Sequence, residues 1–196
     1  MSQFKDPKLF QACQDLVECL KERYVEWEGY KQFTGTEERL YNLYNELCLP
    51  SDLINKEVER VFRTFEHTFQ EMLIVGPFPV HILCPHHLMP CKLKVCVGYI
   101  PTHSRVLGLS KFPRVADLLA KRPILQEEYA QDLARTLNAR LEPKGVAVNT
   151  VGEHSCMGAR GVEKYAPVTA NVMLGDFLTE PETRAEFLAT IQRRSV

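Results

Sequence analysis

No apolar run in the chain approaches the roughly 18 residues of a membrane-spanning helix, so no membrane segment is expected. There is no excess of base either. The chain carries 24 Lys and Arg against 25 Asp and Glu, for a formal net charge of -1. That excludes the global basic surface of a nucleic-acid binder, and any anionic ligand must be held by local bases. The start, Met1-Ser2-Gln3-Phe4-Lys5-Asp6, lacks a basic stretch followed by an apolar core. No secretory signal is therefore expected, and a cytoplasmic location is. Internal repeats and low-complexity tracts are missing. The cysteines do not make a disulfide framework: there are seven, an odd number, scattered as Cys13, Cys19, Cys48, Cys84, Cys91, Cys96 and Cys156. Such a set fits reduced thiols in a reducing compartment. What remains is a chain of 196 residues, 45% hydrophobic, long enough to bury one sizeable core in one compact domain.

Its elements follow from periodicity. Leu9, Cys13, Leu16 and Leu20 recur at helical spacing between Phe4 and about Tyr24. Gly29 and Gly35 interrupt the next stretch. Thr36 then reads as the N-cap of a helix reaching Leu47, and a third helix is expected from Asp52 to Phe69. The texture changes at Met72. Leu73 to Leu83 reads as a strand kinked at Gly76-Pro77, and Leu93 to Ile100 as its partner. Residues 115–121 and 124–141 read as helices, the second closed by Gly145. Val146 to Val151 and residues 168–174 read as strands, and Pro181 to Ile191 as a final helix with Thr179 as its cap. This order points to α+β: an N-terminal helical region over 1–70, then, over 71–196, a four-stranded antiparallel sheet with helices on one face. So small a sheet leaves open edges, which pairing between subunits would protect.

Two short stretches carry the chemistry. Cys84-Pro85-His86-His87 offers a thiol and an imidazole three residues apart, with a spare imidazole between them. Downstream, His154-Ser155-Cys156 offers another of each. Alone, Cys84-x-x-His87 is equally compatible with two buried side chains and no metal. His154 and Cys156, if on a strand, would face one side, although a satisfied core histidine beside an inert thiol is the bland alternative. Together, Cys84, His87 and Cys156 make a three-ligand Zn²⁺ site with a position left open, as in catalytic zinc centres. His86 and His154 are left as proton carriers. Zinc with an open position lowers the pKa of its bound water to about 7, which suits hydrolytic attack on an electron-poor carbon.

A second constellation is Gly108-Leu109-Ser110-Lys111-Phe112-Pro113-Arg114, where a helix N-terminus with Ser110, Lys111 and Arg114 can cradle phosphate. An ordinary helix start with solvated bases explains that segment as well. Arg160 adds a third base. In Gln126-Glu127-Glu128 a carboxylate paired with an amide can accept from a guanine edge, but a solvated acidic turn is the commoner outcome. Residue physics leaves Glu127 and Glu128 undistinguished.

Taken together, the sequence resembles the GTP cyclohydrolase I family over roughly residues 36–192. The resemblance rests on Cys84-x-His86-His87-Leu88-x-Pro90, Tyr99-Ile100-Pro101, Gly108-Leu109-Ser110-Lys111-x-x-Arg114, Gln126-Glu127, Gly145-Val146-x-Val148 and His154-x-Cys156-Met157-x-x-Arg160-Gly161-Val162. Leu174-Gly175-x-Phe177 and Thr183-Arg184-x-Glu186-Phe187-Leu188 continue it. The resemblance implies the tunnelling fold, in which such sheets from several subunits join into a barrel, commonly two stacked pentamers (a homodecamer), with active sites between subunits. It implies Zn²⁺ on Cys84, His87 and Cys156, with His86 and His154 as catalytic histidines. Glu127 corresponds to the guanine-recognising carboxylate, with Gln126 beside it. Lys111, Arg114 and Arg160 correspond to triphosphate contacts, with Ser110 next to them, and Arg39 to an arginine reaching the phosphates from a neighbouring subunit. The implied reaction is hydrolytic opening of the GTP imidazole ring at C8, release of formate and rearrangement to 7,8-dihydroneopterin triphosphate, a step of pterin and folate synthesis.

The chain also departs from the family pattern. Pro85 replaces a usual Glu, Asn42 a frequent phosphate-contacting Lys, and Glu128 a usual Arg. Leu93 and Cys96 replace a usual Gly and His, and Val168-Thr169-Ala170-Asn171 a run richer in Thr and Ser. The thinned positive charge motivates a second expectation: a divergent member acting on another guanine nucleotide, or stopping at the formamidopyrimidine. A non-catalytic barrel paralogue would need none of the retained ligands and histidines. The nitrile reductase of queuosine synthesis, a tunnelling-fold relative that uses a cysteine nucleophile without catalytic zinc, does not fit the Cys84-x-His86-His87 block.

Overall fold

A computed structural model of the chain describes residues 6–24, 26, 28–102 and 105–194. The expected first helical residue, Phe4, lies outside them. The chain divides into two compact units, Met1–Leu49 and Pro50–Val196. The division falls before the third helix, whereas the change of texture in the sequence lies near residue 70. That helix packs on a helix of the second unit.

In the first unit, α1 (Pro7–Glu22) starts where Asp6 accepts a hydrogen bond from the Leu9 amide at 3.0 Å and Pro7 supplies a preset φ. A 3₁₀ turn (Glu28–Phe33) leads to α2 (Thr36–Leu47). Cys13 and Val17 of α1 and Tyr41 of α2 are buried, and Phe10 meets Tyr41 edge-on at 5.9 Å. Thr36 is not the N-cap. Gly35, at φ 73, precedes the helix, and the Thr36 hydroxyl instead accepts from the Arg39 guanidinium at 3.0 Å. The same guanidinium donates to Thr34 O at 3.1 Å, tying down carbonyls of the preceding turn.

In the second unit, α3 (Ser51–Val61) stops eight residues short of Phe69. The apolar residues that extended the helical pattern serve a strand instead: β1 (Thr64–Glu66) pairs antiparallel with β4 (Arg105–Leu107). Phe65 lies over Gly108, where a Cβ would come within 2.8 Å of its ring.

The main sheet has the order β2-β3-β5-β6, antiparallel throughout, with β2 at Leu73–Leu83, β3 at Pro90–Ile100, β5 at Gly145–His154 and β6 at Val168–Gly175. The expected kink in β2 is a register shift between Val75 and Phe78, beside the Gly76–Pro77 bond. Strand alternation then divides the residues between the two faces. Leu93, Val95, Val97 and Tyr99 of β3, with Val146, Val148 and Thr150 of β5, are buried beneath α4 (Lys111–Leu119) and α5 (Gln126–Leu141). The Tyr99 and Phe112 rings lie 5.3 Å apart, and the Tyr129 hydroxyl donates to Ala116 O at 3.2 Å. These two helices are the expected layer on one face.

The short helices α6 (Ser155–Gly158) and α7 (Asp176–Thr179) and the final α8 (Pro181–Arg194) complete the set. α7 and α8 close over one end of the opposite face, where Phe177, Phe187 and Ile191 form a core with Cys96 and Ala147. Gly98 lies beneath Phe187, whose ring a Cβ would approach to 2.8 Å. Farther along, that face carries Lys92, Lys94 and Glu153, all exposed.

Local expectations shift at several element ends. α4 begins at Lys111, four residues before the expected 115. α5 ends through Glu142 in the left-handed region at φ 45, not through Gly145. Gly145 opens β5 at a close backbone approach, where a Cβ would sit 2.9 Å from Asp176 N and Leu174 O. Thr179 belongs to α7 and donates to Gly175 O, and α8 runs to Arg194. Among the described residues no helix is long and apolar enough to cross a membrane.

Because Phe187 anchors the C-terminal helices on the sheet, Phe187→Ala should destabilise the protein by about 3–5 kcal/mol. Denaturant unfolding measures it; a loss below about 1 kcal/mol would mean that this layer does not depend on the ring.

Candidate metal centre

Sheet register assembles the site. β2 ends at Leu83, and the next residues form a tight turn: Leu88 N donates to Cys84 O at 2.8 Å, and Cys84 N to Met89 O at 2.9 Å. Leu88 turns the chain with φ 52, and β3 then leaves from Pro90. This places Cys84, buried, with the exposed His86 and His87 at one end of the sheet. The strand pairing puts Cys91 opposite His154 at that same end, where β5 finishes.

His154 and Cys156 are not two residues of one strand. The strand stops at His154, and Cys156 lies on α6, so the expected alternation does not explain why they meet. Their convergence comes from the helical turn, which folds Cys156 back over β3.

The ligand atoms of Cys84, His87 and Cys156 all lie within 4.8 Å of one another. The two sulfurs are 3.9 Å apart. Two thiolates bound tetrahedrally at about 2.3 Å from one zinc ion are separated by roughly 3.8 Å, whereas a disulfide needs about 2.05 Å. The sulfurs are thus spaced for a shared cation, and the donor set, two thiols and an imidazole, suits a borderline-soft divalent ion. His86 is also close, its Nδ1 4.0 Å from Cys84 Sγ.

Around this triad the polar groups are fixed by what they can donate. The Gln126 side-chain nitrogen faces Thr150 O at 3.2 Å, Thr150 Oγ1 at 3.0 Å and Val168 O at 2.9 Å. Carbonyls only accept, so the amide NH₂ lies on that side and Gln126 Oε1 turns to His154 Nε2 at 2.7 Å. That oxygen also only accepts, which assigns the proton to His154 Nε2 and leaves Nδ1 facing Cys91 Sγ at 3.4 Å. Gly152 makes room for this arrangement, since a Cβ there would lie 2.4 Å from Gln126 Oε1. Gln126 is 1% exposed and fully engaged. Its side chain holds His154.

The α5 N-terminus reaches this end because Ile124 N donates to Leu83 O at 3.0 Å. It also separates the two glutamates: Glu128 accepts from the Leu125 amide at 3.4 Å, a helix-capping task, while Glu127 is exposed on the first turn. Arg160 hydrogen-bonds His87 Nε2. Among the described residues, the contacts of the cluster reach Arg160 and Gln126 but not Ser110, Lys111 or Arg114. Those three stand at the start of α4, where Ser110 makes no side-chain cap. Arg39 belongs to the first unit and is engaged with its own turn.

Cys91 is the residue that sequence spacing missed. It is fully buried, and its ligand atom lies within 4.8 Å of those of His154 and Cys156. Sixty-three residues separate it from His154, so only the strand register carries the signal. Burial pushes its thiol up to about 11, with the neighbouring Cys156 and Cys84 adding to the shift. Cys156 is raised as well, by burial and then by Cys84.

Residues 12–192 match the family model described as GTP cyclohydrolase I. The GTP cyclohydrolase 1 of Thermoanaerobacter pseudethanolicus is 35% identical over 188 residues, spanning 95% of this chain and 97% of that protein. That of Pelotomaculum thermopropionicum is 37% identical over 190 residues, spanning 96% and 98%. Among solved structures, the archaeosine synthase QueF-Like in its apo form matches at TM-score 0.40 and 23% identity, over 51% of this chain and 91% of that one. A score that low adds nothing to the assignment.

Because the raised Cys156 thiol is protonated at neutral pH, cation uptake at the triad must displace its proton, and affinity should rise with pH. Calorimetric zinc titration in buffers of different ionisation enthalpy should show release of at least about one proton per ion. Uptake without proton release would mean that the sulfurs are not ligands.

Proposed function

This chain belongs to the GTP cyclohydrolase I family, and on that premise we propose that it is a zinc-dependent hydrolase. It opens the guanine imidazole ring of GTP at C8, releases formate and yields 7,8-dihydroneopterin triphosphate. Membership makes it a hydrolase with a guanine nucleotide as substrate. The observation that carries the finer reading is the approach of Cys84, His87 and Cys156 within ligand distance, beside two further histidines.

Zinc is the ion the donor set fits, and when bound it would supply Lewis-acid polarisation and an acidified water. The chain's own groups do the rest. His154, whose Nε2 donates to Gln126 Oε1 and whose ring is held there, presents Nδ1 as the nitrogen that takes up and releases a proton. His86, exposed in the turn, is the second proton carrier. Glu127, free of the capping task that occupies Glu128, accepts from the guanine edge. Ser110, Lys111 and Arg114 at the α4 N-terminus, with Arg160, hold phosphate oxygens.

The assembly is a ring of protomers, with Arg39 reaching a neighbour's triphosphate and two pentamers stacking into a decamer. Its support is the sheet itself, whose outer strands β2 and β6 each have one edge without a neighbouring strand among the described residues. The alternative, a divergent member working on another guanine nucleotide or stopping at the formamidopyrimidine, is favoured by Asn42 and Glu128, which lower the positive charge expected around the phosphates.

His154→Ala should keep one equivalent of zinc yet lower pterin formation by about 100- to 10,000-fold, as loss of a proton carrier does. Cys156→Ala should lose the metal as well. Metal analysis and pterin fluorescence after incubation with GTP read both. Equal metal content in the two variants contradicts the ligand assignment, and formate release without pterin selects the ring-opening alternative.

A further inference from the structure

Cys91 is not used by the reaction as described, although it sits fully buried against one of its groups. Its sulfur is 3.4 Å from His154 Nδ1, and with Cys156 the three ligand atoms lie within 4.8 Å of one another. We propose that Cys91, His154 and Cys156 form a second position for a thiophilic divalent cation, sharing Cys156 with the first triad and inhibitory when filled.

Three observations support this. The donor set repeats that of the first triad: two sulfurs and an imidazole. The imidazole is presented as a metal-ligating histidine usually is, with one nitrogen free toward the sulfurs and the other donating to a fixed acceptor. That acceptor is Gln126 Oε1 at 2.7 Å, itself locked by Thr150 and Val168. Finally, Cys91 and His154 are register partners on adjacent strands, so the sheet sets their separation. By contrast, His87 of the first triad stands in an exposed turn. A cation here displaces the thiol protons as it binds.

The consequence for function rests on the role of His154 given above. Nδ1 is the only nitrogen of His154 free to carry a proton, and a cation at the second position occupies it. Excess zinc should therefore inhibit turnover, while the first ion supports it.

Stoichiometry tests the position independently of activity. With Cys84→Ser and His87→Ala disabling the first triad, the protein should still bind about one Zn²⁺ or Cd²⁺ through a thiolate-rich site. Adding Cys91→Val should weaken that binding by at least about tenfold, and Cys91→Ser, nearly isosteric, serves if the valine variant fails to fold. With the first triad intact, Cys91→Val should also raise the zinc concentration that inhibits GTP turnover by a similar factor. No metal bound in the Cys84→Ser/His87→Ala protein, or binding indifferent to Cys91, overturns the proposal. If metal binding behaves as expected and no variant turns over GTP, the functional reading fails while the second position stands.

Discussion

The antiparallel register between β3 and β5 is the constraint on which the rest of the site depends. It sets Cys91 opposite His154 and brings the end of one strand to the beginning of the other. Around that junction close the turn bearing Cys84, His86 and His87 and the helical turn bearing Cys156, whose sulfurs come from positions 72 residues apart. A slip of one residue would turn every side chain to the other face and scatter the donors. The register is secured by burial, because Leu93, Val95, Val97 and Tyr99 are all at or near zero exposure beneath α4 and α5. The chemistry at the sheet end therefore inherits its geometry from an apolar face several residues away.

Polar groups inside this frame are held by the one-way nature of their partners. Thr150 and Val168 present carbonyls, which orient the Gln126 amide, which in turn orients His154. An unmatched amide at 1% exposure would cost free energy comparable to a lost hydrogen bond, so the chain of contacts sets a histidine tautomer as well as a position. The Gly152 backbone makes this possible by leaving the volume that the carboxamide fills.

Much of this was legible in the residue order. Period-2 and period-3.6 patterns located the sheet strands and the core helices, and the blocks bearing Cys84, His86 and His87 and bearing His154 and Cys156 carry the side chains that meet at the sheet end. The failures have physical causes. Phe62, Phe65 and Phe69 satisfy a helical period, yet pairing with Arg105–Leu107 draws Thr64–Glu66 into a strand. Gly145 looked like a helix stop, but a close approach to the β6 end explains it, and Glu142 takes the left-handed turn. Cys91 was invisible because its partner is a register neighbour, not a sequence neighbour. The hold of Gln126 on His154 was equally invisible, since nothing in the order of residues reveals the carbonyls and the imidazole that engage it.

The central claim is that sulfur from two distant segments and nitrogen from the turn hold one ion. X-ray absorption at the zinc edge, on the Cys91→Val protein loaded with a single equivalent so that the second triad lacks one of its sulfurs, tests it most directly. Two sulfur scatterers at about 2.3 Å with nitrogen or oxygen at about 2.0–2.1 Å are predicted. A first shell of nitrogen and oxygen alone would contradict it.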